Sequence, residues 1–530
     1  MTSTHPSSAN WQHTSLQGGL PLIWQRRPGP AIVACRLCIR GGSSQDLPGQ
    51  RGAGQLLAGL MTRGCGSYGP EALADLVEGR GAALRAEAAE DFLVISLKCA
   101  SSDTSELLPL LLLMARQPWL SPDQLELERD LNLQSLQRQR EDPFQLAHDQ
   151  LRHMLYGDGP YGHDPLGVDG ELAALHTEQI GALVPDLGQN GALLVACGDL
   201  NDELPQLLNP LLNQCPWNTA PPSPGAGPGA ASGQERFGSL EQDTEQLVLM
   251  LGTATVPLGD PDGLALRLLQ AHLGMGMSSR LFVTMREERG LAYDVGVHMP
   301  ARRGATPFIW HLSTSAERAE EATTALLEEW QRVLDQPLSA PELALAKAKY
   351  RGHDAMGRQT CGQIADRQTL VLGHGLGWSY VEDSLERAQH LDAGTLLEAA
   401  RRRLSAPSLS ICGPAPALAA AELHRKKSVD AYRRCGRFRK CGNQTTPETS
   451  WPRSSACDRR RSRPGPAVIV GLDSGSVRVA CSIAPLKSFR ISPTPQRMTR
   501  RDRQHRQHRQ HARRDRVTAG EQGVGRYTYV

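Results

Sequence analysis

The 530-residue chain lacks a hydrophobic run long enough to cross a bilayer. Its longest apolar stretch is ELLPLLLLMARQPWL, which is shorter than the roughly 20 residues of a membrane helix and is interrupted by Pro109 and Arg116. The first fifteen residues, MTSTHPSSANWQHTS, contain neither a basic nor an apolar segment, so no secretory signal is predicted. We therefore expect a cytoplasmic protein without a membrane partner.

The chain also lacks the cysteine density of a disulfide-stabilised protein, because it has only 12 cysteines in 530 residues. Cys35 and Cys38 form a CxxC motif within AIVACRLCIRGG, which has the pattern of a β-strand. Residues three apart in a strand point to opposite faces, so a metal or redox site is not expected there. Reduced, buried cysteines are the expected state.

The formal net charge of +2 hides two segments of opposite charge. Residues 425–530 contain 26 Lys and Arg against 7 Asp and Glu, a net charge of +19, whereas the preceding residues carry −17. The basic segment lacks helical periodicity and apolar density, which predicts disorder. It could be a nucleic-acid-binding arm, a metal site built from His505, His508 and His511, or a frame-shifted extension of the gene product.

A Pro/Gly/Ala/Ser-rich stretch, CPWNTAPPSPGAGPGAASGQERF, separates two acidic segments of similar length. The two segments contain related sequences: WLSPDQLELE resembles PLSAPELALA, and EGRGAAL resembles EERGLAY, so that Gly81 corresponds to Gly290. Apolar β-branched runs predict strands, and TTALLEEWQRVLD predicts an amphipathic helix. The predicted fold class is α+β, with two homologous domains that each pack helices on one face of a mostly antiparallel sheet.

The predicted segments are a flexible N-terminus at 1–14, a first domain at 15–214, a linker at 215–237, a second domain at 238–415 and a basic, disordered tail at 416–530.

A short apolar stretch in the first domain, GAGQLLAGLMTRG, has an unusual helical face. Gln55, Ala58 and Gly59 have the i, i+3, i+4 spacing that places residues on one side of a helix. That side carries one amide and two residues with little or no side chain.

Residues 274–296 of the second domain read GMGMSSRLFVTMREERGLAYDVG. This segment resembles the second-domain signature of the pitrilysin/insulinase family of zinc peptidases, which includes the mitochondrial processing peptidase. SLQGGLPLIWQRRPGPAIVACRLCIRGGSSQD, ADLVEGRGAALRAEAAEDFLVISLKC and EDPFQLAHDQLRHMLYGDGPYGHDPLG resemble segments of its first domain. The resemblance covers residues 15–415 and implies a peptidase-like character for both domains.

In that family, a helix with the motif His-x-x-Glu-His binds zinc and activates water, and a Glu from a later helix completes the site. Aligned on Gly52 and Gly64, this chain has Gln55 and Gly59 at the two His positions and Ala58 at the Glu position. The later ligand corresponds to Gln134 or Ser135 in LNLQSLQRQREDP. The resemblance therefore implies a degenerate zinc site, with no metal ligand and no zinc in this chain.

Other residues give no alternative zinc motif, because the sequence contains neither HExxH nor HxxEH. His148 and His153 are five residues apart and do not share a helical face, and His163 lies in the turn-like GPYGHDPLG. The remaining carboxylates on the charged helical stretch are expected to be solvated: Glu126, Glu128 and Glu141.

The second-domain signature retains residues that the family uses to bind substrate. The resemblance assigns Arg286 and Tyr293 to contacts with the peptide backbone, with the tyrosine stabilising the oxyanion. Gly274, Gly276 and Ser278 are expected in the loop before the helix that carries Arg286. Without the resemblance, Arg286 and Tyr293 would be interpreted as a surface charge and a packed ring.

The leading hypothesis is a non-catalytic subunit of a heteromeric zinc peptidase in a bacterium. A zinc-bearing homologous subunit would hold the metal, and unfolded peptides would be the substrate. One alternative is a structural or binding protein with the peptidase fold and no role in proteolysis. Another is an active metallopeptidase with unforeseen zinc ligands.

Overall fold

The structure is a computed structural model that describes residues 11–201, 203–225, 227–229 and 236–422. These residues form two β-sheets, each flanked by helices. The strands of the first sheet are β1 Gln12–Ser15, β2 Pro21–Arg26, β3 Ile32–Arg40, β4 Ala83–Ala88, β5 Phe92–Ala100 and β6 Ala192–Gly198. Those of the second are β7 Phe237–Glu241, β8 Gln246–Ala254, β9 Asp294–His298, β10 Pro307–Ser315 and β11 Ser408–Gly413.

The helices fall into two groups along the chain. The group between β3 and β7 is α1 Ala53–Met61, α2 Pro70–Glu78, α3 Thr104–Leu107, α4 Pro109–Arg116, α5 Pro122–Gln139, α6 Pro143–Tyr156, α7 Asp169–Ala174, α8 Thr177–Gly181 and α9 Leu204–Gln214. The group after β8 is α10 Pro261–Gly274, α11 Ala319–Asp335, α12 Ala340–Met356, α13 Cys361–Gly373, α14 Tyr380–His390 and α15 Ala393–Arg403.

The five strands of the second sheet follow the same topology as β2 to β6 of the first, which supports the internal repeat, and β1 is an additional strand of the first sheet. The first sheet has the order β1-β2-β6-β3-β5-β4 and the second the order β7-β11-β8-β10-β9. The pairs β2–β6 and β7–β11 are parallel, and all other strand pairs are antiparallel. Accordingly β4 and β9 are equivalent edge strands. Gly81 and Gly290, which precede them, both have left-handed backbone conformations, with φ of +63° and +59°.

The predicted α+β class with two similar domains is confirmed. In addition, the face of each sheet that points away from its own core is covered by a helix. Along β3, Val33, Cys35 and Leu37 belong to the core of the first half, whereas Ala34 and Cys38 face the opposite way. Helix α13 from the second half packs against that opposite face, and α6 from the first half packs against the second sheet. Each half therefore contributes a helix to the other half's sheet. The two cysteines of the CxxC motif point to opposite faces, as predicted.

The segment after β6 and the chain after β11 are only partly described. Within the proposed linker, Trp217 is buried and its Nε1 donates a hydrogen bond to the Leu187 carbonyl oxygen at 2.6 Å. After β11, residues 415–422 are helical, and Ala417 and Ala421 are buried in the core of the second half. The disordered tail was predicted to begin at residue 416, so its first seven residues are a correction: they belong to this helix, because Ala417 and Ala421 pack in the core. From residue 423 onward the tail and its three candidate histidines lie outside the described residues, and the disorder and nucleic-acid role predicted there stay predictions.

The proposed domain boundaries likewise stay predictions. In the part of the chain that the structure describes, no helix has the length and hydrophobicity to cross a membrane.

Candidate functional site

Helix α1 begins at a point fixed by Asp46 and two glycines. The Asp46 carboxylate accepts hydrogen bonds from the backbone N–H groups of Gly52 at 2.7 Å and Gly54 at 3.1 Å, which caps the start of the helix. Gly52 has φ of +104°, and a Cβ there would lie 2.9 Å from the Cα of Gly167. The helix is therefore held against the loop before α7. Its leucines are buried in the first core, which fixes the orientation of the Gln55 side.

Gln55 connects α1 to the edge strand β4. Its Oε1 accepts a hydrogen bond from the backbone N–H of Ala88 at 3.1 Å, and Ala88 is the last residue of β4. The amide thus satisfies a backbone donor at the end of the edge strand. Within the described part of the chain the Gln55 Nε2 has no acceptor, and its side chain is only partly buried.

Glu128 occupies the space beside Gly59. A Cβ built on Gly59 would lie 2.4 Å from Glu128 Oε2, and Glu128 Oε1 accepts a hydrogen bond from Arg63 Nε at 2.6 Å. Ala58, on the same helical side, is fully buried. The prediction that Glu128 is solvated was wrong, because the missing side chain at Gly59 leaves room for its carboxylate inside the α1–α5 contact. Glu126 and Glu141 are exposed, as predicted.

The positions predicted for the later ligand carry no carboxylate and lie on α5. Ser135 Oγ donates a hydrogen bond to the Leu131 carbonyl oxygen at 2.8 Å, and Gln134 is exposed. Zinc sites use imidazole, thiolate or carboxylate ligands. Among the described residues, this side of α1 offers one amide, whose oxygen is already bonded to Ala88, and the Glu128 carboxylate, which is paired with Arg63. The residues present therefore do not fit a zinc ion in the family's arrangement.

The candidate histidines of the first half do not come together. His148 is mostly buried and its Nδ1 lies 3.3 Å from Arg152 Nη2, whereas His153 is exposed. Burial lowers the pKa of His148. His163 is buried, with its Nε2 3.9 Å from Asp46 Oδ2. Among the residues that the structure describes, no group of three or more His, Cys, Asp or Glu is arranged to hold a metal.

Arg286 and Tyr293 are brought into direct contact. Arg286 lies on the π-helical turn Phe282–Glu288, a wide helical form that is often found at functional sites. Its Nη1 donates a hydrogen bond to the Tyr293 carbonyl oxygen at 3.0 Å, and its guanidinium lies 5.0 Å from the centre of the Phe282 ring. Both side chains are exposed to solvent, Tyr293 by 48%. The contact therefore runs through the backbone of Tyr293, and the guanidinium and the phenol are each exposed to solvent.

A tyrosine hydroxyl is protonated at neutral pH, and the surroundings of Tyr293 do not change this. Burial of part of the ring raises the pKa of Tyr293, and a hydrogen bond with Ser313 lowers it by less. The phenol is thus a hydrogen-bond donor at neutral pH. Tyr293 directly precedes β9, and its backbone N–H bonds to the Ser313 carbonyl oxygen at 3.3 Å. The start of an edge strand therefore fixes the position of the ring.

Sequence reasoning missed Arg318, which holds the turn between Arg286 and Tyr293. Its Nη1 donates to the Gly290 carbonyl oxygen at 2.7 Å and its Nη2 to the Arg289 carbonyl oxygen at 3.0 Å. Arg318 is 25 residues beyond Tyr293 and belongs to no motif, so the sequence carried no signal for this role. The contact limits how the turn can move.

Gly276 and Ser278 lie in the loop before the helical segment that carries Arg286, whereas Gly274, which was also predicted there, is the last residue of α10. A Cβ on Gly274 would lie 2.7 Å from the backbone nitrogen of Val297, so the glycine allows the end of α10 to approach β9. Gly276 has φ of +74°, and Ser278 is exposed. The glycines are explained by backbone geometry, and a binding role for the loop stays a prediction.

Family models match both halves of the chain. The family model described as Insulinase (Peptidase family M16) matches residues 22–167, which include α1. The model described as Peptidase M16 inactive domain matches residues 187–350, which include Arg286 and Tyr293.

The chain belongs to the M16 family of insulinase-type peptidases. It is 23% identical over 423 residues to an uncharacterized zinc protease of Streptomyces coelicolor, a match covering 78% of this chain and 92% of that protein. It is 21% identical to an uncharacterized zinc protease of Bacillus subtilis, covering 67% of this chain and 87% of that protein. The expected peptidase-family resemblance is confirmed.

Solved structures share the fold of this M16 chain. A peptidase M16 inactive domain from Pseudomonas fluorescens matches with a TM-score of 0.70 and 24% identity, covering 76% of this chain and 98% of that chain. A protease from Helicobacter pylori matches with a TM-score of 0.67 and 16% identity, covering 76% and 99%. A chain of complex III from Candida albicans matches with a TM-score of 0.61 and 14% identity, covering 76% and 95%.

Proposed function

We propose that this chain is a non-catalytic subunit of a heteromeric M16 zinc peptidase. A homologous partner subunit holds the zinc, and this chain contributes Arg286 and Tyr293 to substrate binding. Both work in the cytoplasm on unfolded peptides. The family membership supports a peptidase-like protein, and the rest of the proposal is argued from the two candidate sites.

The single observation that carries the proposal is the contrast between those sites. On α1, the Gln55 oxygen is engaged by β4 and the space at Gly59 is filled by Glu128. Beside β9, the Arg286–Tyr293 pair is formed and both side chains are open to solvent. A chain that keeps substrate-binding groups without metal ligands needs its zinc from another chain.

The chemistry of Arg286 and Tyr293 suits the stabilisation of a developing negative charge. When a peptide carbonyl is attacked, charge accumulates on its oxygen, and fixed hydrogen-bond donors lower the barrier. The Tyr293 hydroxyl is a neutral donor on a fixed strand end. Arg286 is anchored through one Nη1 bond and has further N–H groups with which to hold a peptide carbonyl.

The proposal is tested by purifying the chain from its native host and identifying what remains bound. The expected result is a complex with an M16 homologue that has an intact His-x-x-Glu-His motif. The recombinant partner and this chain would each have little activity on an unfolded peptide, whereas the mixture would show chelator-sensitive proteolysis. A partner that is fully active alone, and unchanged by this chain, would contradict the proposal.

A second candidate function is peptide binding or scaffolding without proteolysis. It is favoured by the Gln55–Ala88 bond, which leaves the amide nitrogen available beside the open edge of β4, where an extended segment could add. The likeness to a complex III chain fits such a structural role. In this case an M16 partner could assemble with the chain, but the Arg286–Tyr293 pair would not affect its turnover.

The remaining alternative, an active metallopeptidase with unforeseen ligands, is tested by metal content. We expect less than about 0.1 zinc per chain in a purified variant ending after residue 422, because the α1 side does not fit zinc. The measurement is elemental analysis after dialysis, with the full chain alongside to detect zinc bound by the histidines of the tail. One tightly held zinc in the shortened chain, with chelator-sensitive activity, would establish this alternative.

A further inference from the structure

A cavity of about 40 Å³ lies in the second half, away from the two sites above. It is enclosed by the start of α10, the end of α12, α13, α14 and the loop that follows β8. The exposed Gly259 forms part of its rim. A water molecule needs roughly 10–15 Å³ of such space, so the cavity has room for about three waters or one group of a few heavy atoms.

Buried donors without partners line this cavity. The Arg367 side chain is 10% exposed, and its Nε has no hydrogen-bond partner within the described residues. The Thr306 Oγ1 is also buried and unpartnered there. The Ser384 hydroxyl, which is buried as well, forms another part of the wall. Unsatisfied buried donors are costly, so a ligand that accepts their hydrogen bonds would be stabilised.

The carboxylate of the wall is already neutralised. Asp354 Oδ1 is paired with Arg367 Nη1, and Asp354 Oδ2 lies 3.0 Å from Arg358 Nε. Burial lowers the pKa of Arg367 and outweighs the opposing effects of Tyr350 and Glu382. Asp354 engages the Nη1 group of Arg367, and the Arg367 Nε stays a buried donor without a partner among the described residues, which favours a hydrogen-bond acceptor beside it.

Arg367 and Arg267 act together on the other lining groups. The pKa of His353 is lowered first by burial and then by these two guanidiniums. The same two guanidiniums oppose the rise in the Tyr350 pKa that burial causes. Tyr350 and His353, both on α12, are thus exposed to the positive charge of the two guanidiniums. Val256, Leu264 and Val381 supply an apolar surface opposite the polar groups.

We propose that this cavity binds the carboxylate group of a small ligand, with Arg367 and Ser384 as donors and the apolar wall holding a short alkyl group. A carboxylate matches the fork of a guanidinium, and its size matches the available volume. The group could belong to a free short-chain acid or to the C-terminus of a short peptide. This inference is independent of the proposed peptidase role, since it uses none of the residues of that site.

The test is calorimetric titration of the full chain with isobutyrate in a carboxylate-free buffer, at an ionic strength held constant with chloride. We expect saturable binding with a Kd on the order of 1 mM, a reasonable affinity for so few heavy atoms. The peptide Gly-Val and its C-terminal amide distinguish the two sources of carboxylate. Binding of Gly-Val but not of its amide would assign the site to peptide C-termini, and binding of isobutyrate alone would assign it to free acids.

Two variants keep the test independent of folding defects. Arg367→Lys retains the charge but loses the fork, and Ser384→Ala removes one hydroxyl; each should weaken binding about tenfold while the circular dichroism spectrum is unchanged. Arg289→Lys, an exposed exchange outside the cavity wall, should bind like the parent. The proposal is overturned if no carboxylate binds saturably, or if both cavity variants bind as tightly as the parent.

Discussion

The two halves of the chain share one topology but present different chemistry at equivalent points. In the first half Ala83 and Leu84 follow Gly81 and begin β4, whereas in the second half Ala292 and Tyr293 follow Gly290 at the same spacing and directly precede β9. The backbone path is repeated in the two halves, but at this position only the second half has an exposed tyrosine side chain. The shared fold does not by itself create a functional site, because the chemistry depends on the side chains at a few positions.

The turns that follow these edge strands carry opposite charges and meet. Glu90, between β4 and β5, pairs with Arg302, between β9 and β10, at 2.5 Å. Arg302 is 4% exposed and lies 4.6 Å from the centre of the Tyr161 ring. Burial alone would raise the pKa of Glu90, but the charges of Arg302 and Arg152 bring it down to about 2. The two halves of the repeat are thus linked by an ion pair whose acid, Glu90, lies in the first half and whose base, Arg302, lies in the second.

The largest expected effect comes from breaking this pair. Arg302→Ala should lower the free energy of unfolding by about 3 kcal/mol, because it leaves the Glu90 carboxylate without its main partner and removes the stacking on Tyr161. Urea unfolding at pH 7 measures the loss. Arg289→Ala is the matched control, since its pair with Glu328 at 3.6 Å is exposed and should contribute less than about 1 kcal/mol. Equal losses in the two variants would mean that the two turns are not an important junction.

A pH-dependent effect is expected at α10 that the equivalent helix α1 cannot show. His272, near the end of α10, is 5% exposed, and burial followed by the charge of Arg280 lowers its pKa to about 4. Lys349 and Arg332 also lower the pKa, while Glu342 raises it. The equivalent helix α1 has no titratable residue.

The lowered pKa fixes the direction of the pH effect. Because the folded state resists protonation that the unfolded state accepts, the contribution of His272 to stability is complete above about pH 6.5. It is lost as the pH falls towards about 4. We expect the parent to lose about 2–3 kcal/mol more than His272→Gln between pH 7 and pH 4. Urea unfolding at both pH values tests this, and parallel losses in the two proteins would contradict it.

A smaller effect on the free energy of unfolding is expected at Gly59, on the side of α1 that corresponds to the family's zinc site. Helix propensity alone predicts that Gly59→Ala stabilises the protein by about 1 kcal/mol. Contact of the new Cβ with Glu128 should reverse the sign, giving a loss of about 1 kcal/mol, because the carboxylate must leave Arg63. In a Glu128→Ala background the stabilisation should return. If Gly59→Ala has the same effect in both backgrounds, Glu128 does not fill this space in solution.

Sequence reasoning predicted those features that depend on local patterns. The strand at Phe92–Ala100, the helix at Ala319–Asp335 and the turn at Gly81 follow from hydrophobic period and backbone preference. The position of Arg286 and Tyr293 near each other followed from the family resemblance. Their hydrogen bond through the Tyr293 carbonyl oxygen could not be predicted, because it depends on the path of the turn between them.

The features that sequence reasoning missed all depend on contacts between distant segments. The exchange of α6 and α13 between the sheets has no periodic signature, since both read as ordinary amphipathic helices. The burial of Glu128 arises from a glycine 69 residues earlier in the chain. Arg318 acts on a turn that precedes it by a strand pair. In each case the determining neighbour is close only after folding.

The measurement that tests the central claim most directly is the turnover of the reconstituted complex with Tyr293→Phe in this chain. The substitution removes only the hydroxyl, so the ring, the fold, the assembly and the partner's zinc should be unchanged. Loss of one oxyanion donor typically reduces turnover on the order of a hundredfold, and we expect a reduction of about that size. Gln55→Ala is the matched control and should leave turnover within about twofold, since the α1 side holds no metal in this account. Full turnover of Tyr293→Phe in an intact complex would contradict the account and favour a scaffold.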